Sequence, residues 1–351
     1  MLALKGPACK GMMFLTVRKA TLMIPIMIVP EFWAEARIQK RFDDRQITVR
    51  RFGWSDTSQE DAQASAEART QEAFDRILAG EHIDRREHKV AYNGADGVPI
   101  REQIIVKHGS MVITRNLYGA YCLNTPSVLF ADIDVVPHTP FKLSCISFIA
   151  LLGLAAAWGQ SSGSIELTVI ALMVALTIGY PLSSWVYRLF QQSKGGPREH
   201  AHQRIRQFAT AHPDWHLRVY ETPAGFRVLV MHRTFDPREE MVDTFFDALE
   251  TDPVYARMCQ NQNCFRARVS PKPWRIGMHK RIRPSPGVWP VKPEYMPDRE
   301  RWTTEYEEKA RGYASCRFVE ALGHAAPHPE AQAVQKVHDE LSRAHIELPL
   351  A

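Results

Sequence analysis

Two aspartates, Asp132 and Asp134, interrupt an apolar run, Ser127-Val-Leu-Phe-Ala-Asp-Ile-Asp-Val-Val136. In an extended strand alternate side chains share a face, so both carboxylates point one way and Ile133 the other. Neighbouring carboxylates repel each other and lose hydration on such a strand, so something must compensate. The candidates are a divalent cation, arginines, or plain solvent. Oxygen ligation of this kind suits Mg²⁺ or Mn²⁺ bridging to a substrate phosphate. The plain alternative is a strand end in water, paired with arginine.

A second group is cationic. The stretch Cys264-Phe-Arg-Ala-Arg-Val-Ser-Pro-Lys-Pro-Trp-Arg-Ile-Gly-Met-His-Lys-Arg-Ile-Arg283 holds seven lysines and arginines and no acid. Arg266 and Arg268 would share a strand face, with Lys272 and Arg275 just beyond. Such a stretch suits phosphate, with Trp274 placed to stack on a base. It equally suits anionic lipid headgroups, a counter-charge for Asp132 and Asp134, or a solvated loop. His232 ends a candidate strand and gains interest only if that strand lies beside the two aspartates. Cys259, Cys264 and Cys316 with His279 could bind zinc. Paired C-x-x-C spacing is absent, however, and buried reduced cysteines are the simpler expectation.

These groups need elements to position them. Gln46–Phe52 reads as a strand, and a helix capped by Asp56 or Ser58 should run from about Gln59 to Leu78. Turn signals at Asn93-Gly94 and Asp96-Gly97 precede strand-like segments at Ile100–Val106, Met111–Thr114, Tyr118–Leu123 and Val128–Val136. Beyond the middle of the chain, a helix from about Arg198 to Ala211 precedes His216–His232. There Thr-Pro-Ala-Gly, between two alternating runs, marks a β-hairpin. Helices are expected at Pro237–Leu249, about Asp298–Tyr313 and about Pro329–Ala344. The short apolar run Thr21–Val29 is too brief to span a bilayer and reads as a buried strand.

Between Asp134 and the second half lie two long uncharged segments, Leu143–Trp158 and Leu167–Tyr187, separated by Gly159-Gln-Ser-Ser-Gly-Ser-Ile-Glu166. A spanning helix needs about 20 apolar residues, so together they read as a transmembrane hairpin. Trp158, Tyr180, Trp185 and Tyr187 near the ends suit the interface. Lys142 before the pair and Arg188, Lys194, Arg198, Arg204 and Arg206 after it put both flanks on the cytoplasmic side of a bacterial inner membrane. The net charge of +5 is too mild to mark a nucleic-acid binder by itself.

Together, Phe130-Ala-Asp-Ile-Asp134, the helix from Arg198 and the hairpin ending Val230-Met-His232 resemble the catalytic core of the archaeo-eukaryotic primase superfamily. That resemblance implies an RRM-like sheet, divalent metal on Asp132 and Asp134, and nucleotide phosphate on His232. Asp236 and Asp252 are nominal candidates for a third acid. The chain as a whole, with Phe265-Arg-Ala-Arg-Val-Ser-Pro-Lys-Pro-Trp-Arg275, resembles a group of uncharacterised bacterial two-pass membrane proteins, and that likeness carries no activity.

The expected architecture is α+β, a mainly antiparallel sheet with covering helices, interrupted by a membrane hairpin at 141–190. Residues 1–140 and 191–320 should build one cytoplasmic unit, because neither flank alone holds a full set of strands and covering helices. Residues 321–351 add a terminal helix. The expected role is a membrane-anchored module that binds a nucleotide, a nucleic acid or a protein partner. Primase-like, metal-dependent nucleotidyl or phosphoryl transfer is the alternative, and an Asp-x-Asp glycosyltransferase is a third and weaker one.

Overall fold

The computed structural model describes residues 29–42, 45–87, 98–135, 141–193, 195–285, 287 and 289–351. All of the expected strand at 21–29 except Val29, which is buried, and the turns at 93–97 lie outside the described residues.

The fold is α+β, and its sheets are antiparallel. Strands β1 (Phe32–Phe42) and β2 (Arg45–Ser55) pair over their full lengths. The sequence pattern marks β2 alone, because in β1 the adjacent charges Lys40 and Arg41 and the alanines at 34 and 36 weaken the strand signal. Helix α1 (Gln59–Leu78) covers one face of the pair, with the Ser58 hydroxyl accepting the Asp61 N–H at its start. Gly53 makes that packing possible: a Cβ there would sit 2.1 Å from the Ala66 nitrogen.

Strands β3 (Gln103–His108), β4 (Met111–Arg115) and β5 (Tyr121–Thr125) form a meander. Beyond β5 lies β9 (Phe265–Arg268), which is distant in sequence, giving the order β3-β4-β5-β9. The other four-stranded sheet has the order β10-β7-β8-β6, from β6 (Phe130–Asp134), β7 (Leu217–Glu221), β8 (Gly225–Val230) and β10 (Arg317–Leu322). Each of these sheets therefore draws strands from both sides of the long apolar segments.

The pleat of β6, β7 and β8 sorts residues by parity. Ala131, Ile133, Val219, Phe226 and Val228 face α4 (Gly196–Ala211) and α5 (Glu240–Leu249). Phe208, Trp215 and Phe245 pack ring against ring in that layer, with centroids 5.0–5.1 Å apart. The opposite face carries Asp132, Arg227 and Tyr220 and is covered by α8 (Pro329–Ser342), whose His338 lies 4.7 Å from the Tyr220 ring. Helix α6 (Pro253–Gln262), which the sequence pattern does not signal, runs behind β6 and β9. Helix α7 (Met296–Ala310) braces the stretch after β9.

Helix α2 (Phe141–Ser162) is long and apolar enough to cross a membrane: its mean hydropathy is 1.8 and only 6% of the 18-residue stretch is buried. A soluble core helix of that composition would be covered on most sides. Helix α3 (Ile165–Ser193) packs against α2 but is bent by 44° between Ile165–Gly179 and Pro181–Tyr187. The interior proline removes a helical hydrogen bond and accounts for the bend.

Candidate ligand-binding cleft

Strands β6 and β9 run side by side at the seam between the two four-stranded sheets. Tyr255 of α6 stitches them, its hydroxyl lying 3.1 Å from the Phe130 carbonyl and 2.9 Å from the Arg266 carbonyl. Arg227 adds a second stitch by donating to the Arg268 carbonyl at 2.8 Å. A cavity of about 110 Å³ opens at this seam. Its lining includes Asp132, Asp134, Asp252, Arg268, Lys272 and Tyr118.

Strand register puts Asp132 opposite Arg227, and Asp134 opposite Gly225. Arg227 grips Asp132 with Nε on Oδ1 at 2.7 Å and Nη2 on Oδ2 at 3.0 Å. Burial alone would lower the Arg227 pKa, but the Asp132 carboxylate more than offsets this and raises it. Asp132 therefore has a cation already, the arginine-paired alternative open in the sequence. The Asp252 N–H donates to the Asp132 carbonyl at 3.0 Å and sets the start of α6 beside β6. One Asp252 oxygen, Oδ1, caps α6 by accepting the Val254 N–H at 2.9 Å.

Asp134 is exposed at the strand end. Partial burial, Asp132 and Asp252 raise its pKa, against the opposing pull of Lys272 and Arg275. Lys272 is shifted the other way, lowered by burial and by Arg268 and Arg275, while Asp134 and Asp132 raise it. Neither Asp134 nor Lys272 forms an ion pair among the described residues. The Lys272 ammonium instead lies 5.5 Å from the ring of Trp274. Arg275 also belongs to this field, depressed by burial and Arg268 and raised by Asp134, and its buried Nη1 has no hydrogen-bond acceptor. Tyr306 of α7 fixes the segment bearing these cations, its hydroxyl 2.6 Å from Ser270 Oγ and donating to the Pro271 carbonyl at 2.7 Å.

The four basic positions singled out in the sequence thus divide. Arg268 and Lys272 line the cavity and Arg275 acts on Asp134 from outside the lining, whereas Arg266, at the cavity's inner wall, is buried and donates to Glu102 at 2.7 Å. Glu102 also accepts from Thr114 at 2.6 Å. Arg266 is thereby a structural partner, with its charge already balanced.

His232 does not join the site. It lies five residues beyond Arg227, on the order of 15 Å along the chain direction at strand spacing. Its ring packs 4.7 Å from Trp215 and 5.6 Å from Phe235, and burial and Arg233 depress its pKa. The strand leading to His232 does pair with the aspartate strand, but antiparallel pairing sends its end away from Asp134.

Among the described residues no group of three or more His, Cys, Asp or Glu converges as a metal cage. Cys259 and Cys264 are buried in the core, and burial raises both thiols. Cys316 faces His338 at 3.9 Å, while His279 is exposed. For Mg²⁺ or Mn²⁺ the chain offers Asp134 and the second oxygen of Asp252. One or two carboxylates completed by ligand phosphate is a mode that magnesium uses.

Arg227 is the site residue that the sequence argument missed. Its signal was present: a lone charge inside Gly225-Phe-Arg-Val-Leu-Val230, at a parity that demands a buried acid. Comparison with protein-family models, with curated proteins and with solved structures finds no match for this chain.

Proposed function

We propose that the protein is a membrane-anchored module that binds a phosphate-bearing ligand in the cleft between β6 and β9. The observation that carries this reading is the set of charges left after internal pairing. Asp132 is matched by Arg227 and Arg266 by Glu102, and Arg268 donates from one nitrogen, Nη1, to the Ser270 carbonyl at 2.7 Å and to the Ala351 oxygen at 3.4 Å, which leaves Lys272, Arg275 and the rest of the Arg268 guanidinium facing Asp134 and Asp252. Among the described residues, Lys272 and Arg268 line the cavity without an acid in ion-pair contact, at a mouth where Asp134 is exposed, and cations so placed suit phosphate recognition. Membrane anchoring is supported by the exposed apolar surface of α2, with the bent α3 as the proposed second pass and both flanks cytoplasmic.

Metal-dependent nucleotidyl or phosphoryl transfer is the second reading, favoured by the two unpaired carboxylates beside these cations. Asp134 and Asp252 would hold the divalent ion against the ligand phosphate, with Asp132 fixing their strand and helix.

Binding of ATP to the detergent-solubilised full-length protein tests both, measured by calorimetry with and without Mg²⁺. Binding that is lost in Lys272→Met supports phosphate recognition. Magnesium-dependent tightening that is lost in Asp134→Asn favours the second reading. ATP affinity unchanged in Lys272→Met and Arg268→Met would remove the cleft as a phosphate site.

A further inference from the structure

We infer that the ligand of this cleft is the headgroup of a zwitterionic phospholipid, an aminoalkyl phosphate whose ammonium meets Asp134 and Asp252 while its phosphate meets Arg268 and Lys272. The inference rests on the phosphate-binding reading and specifies what else the ligand must carry.

Three observations lead to it. The first is charge. A site for phosphate alone would be weakened by carboxylates in the same small cavity, because like charges repel at short range. Asp134 and Asp252 line the cavity together with Arg268 and Lys272. Their presence calls for a positive group on the ligand, and no third acid closes a metal cage among the described residues. An ammonium held at one end and a phosphate at the other would satisfy both sets of side chains.

The second is size. The cavity holds about 110 Å³, whereas pockets that enclose a drug-sized molecule hold roughly 300–1,000 Å³. A phosphoethanolamine-sized group fits within it, and a whole nucleotide would lie mostly outside.

The third is position. Asp134 stands seven residues before Phe141, where α2 begins. At the limit of chain extension, about 3.5 Å per residue, the cleft lies within about 25 Å of the apolar helix. Trp274 is 50% exposed and packs against two residues of the lining, Lys272 and Tyr118. An exposed tryptophan next to a lysine is the pairing that settles at the water–lipid boundary. A lipid seated here would put its headgroup between β6 and β9 and leave its chains in the bilayer.

The test uses the full-length protein in detergent, with O-phosphoethanolamine, glycerol 3-phosphate and inorganic phosphate as probes. Phosphoethanolamine is expected to bind at least about tenfold more tightly than glycerol 3-phosphate. Asp134→Asn should abolish that preference, and Asp252→Asn should reduce it. Lys272→Met should weaken both compounds alike. Micelles doped with phosphatidylethanolamine should displace free phosphoethanolamine, and micelles doped with phosphatidylglycerol should not.

Equal affinity for the amine-bearing and amine-free phosphates, or a preference that survives Asp134→Asn, overturns the inference and leaves phosphate binding intact. Binding of free phosphoethanolamine without displacement by the doped lipid overturns the lipid as its source. If no phosphate compound binds, ATP included, the phosphate-binding reading itself is overturned. Asp134 forms no ion pair among the described residues, so its asparagine variant should melt with the parent protein. That leaves the comparison readable.

Discussion

Arg227 and Asp132 face each other across β8 and β6 and share two hydrogen bonds, at 2.7 and 3.0 Å. The pair lines the cleft, with Arg227 buried beside His338 of α8 and Asp132 half-buried at the cavity wall. It therefore holds the cleft's floor rather than offering its charges to a ligand.

Removing one member of such a pair strands the other. Arg227→Leu should destabilise the protein by about 2–4 kcal/mol, because the half-buried Asp132 would lose its partner and the Arg268 carbonyl its donor. Arg299 provides the control. It is also buried, but among the described residues it donates to the Gln103 side-chain oxygen and otherwise meets the Trp289 ring at 5.8 Å, with no acid beside it, and burial pushes it down to about 10. Leucine there removes an uncompensated charge, so Arg299→Leu should cost less than about 1.5 kcal/mol or be stabilising. Urea midpoints of the two variants in detergent check the contrast.

Acid sensitivity should trace to Asp339. This carboxylate accepts from Arg218 and Gln335 at 3.1 Å, lies 3.1 Å from His345 Nε2 and contacts His338 at 3.0 Å. Burial alone would raise its pKa, but His338 above all, with hydrogen bonds from Tyr220 and Gln335, lowers it well below the usual carboxylate range. Its contribution is thus full above the unfolded value of about 3.9 and is lost as pH falls through the depressed folded value. Asp339→Asn should melt lower than the parent at pH 7, and the gap should narrow below about pH 4. Melting curves across that range give the measurement.

Gly225 sets the spacing at Asp134. A Cβ there would fall 2.1 Å from the Ile133 carbonyl oxygen and 2.8 Å from the Val135 nitrogen, both backbone atoms. Gly225→Ala must push β6 away from β8 at the cleft mouth. A cost of about 1–3 kcal/mol is expected, typical of overpacking, together with weaker binding of the phosphate probes. Thermal melting and calorimetry on the same preparation would separate the two effects.

Membrane insertion can be tested at Leu154, which is 68% exposed near the middle of α2. Arginine at a span centre costs about 2.5–3.5 kcal/mol on insertion scales. Leu154→Arg should therefore move a large share of the protein out of the membrane fraction after alkaline carbonate extraction. Unchanged fractionation would argue that α2 does not lie in lipid.

Local pattern determined a good deal. Strand alternation set Asp132 and Asp134 on one face, and the turn at Thr-Pro-Ala-Gly set the β7–β8 hairpin. Capping and alanine content set α1 to within its observed ends, and the uncharged stretch set α2. These features depend on near neighbours and on periods of 2 and 3.6, which a sequence displays directly.

Tertiary structure decided which charges are already balanced. Arg266 and Arg268 look equivalent two residues apart, yet Arg266 meets Glu102 from β3's leading edge, while Arg268 remains at the cleft. His232 looked like a site residue until antiparallel pairing carried it to the far end of the strand. Asp132 reads as an uncompensated carboxylate in the sequence, and Arg227, 95 positions later, is the cation that closes on it. A charge's partner comes from a distant strand, and its register is set by how whole sheets pack, so no local period announces it.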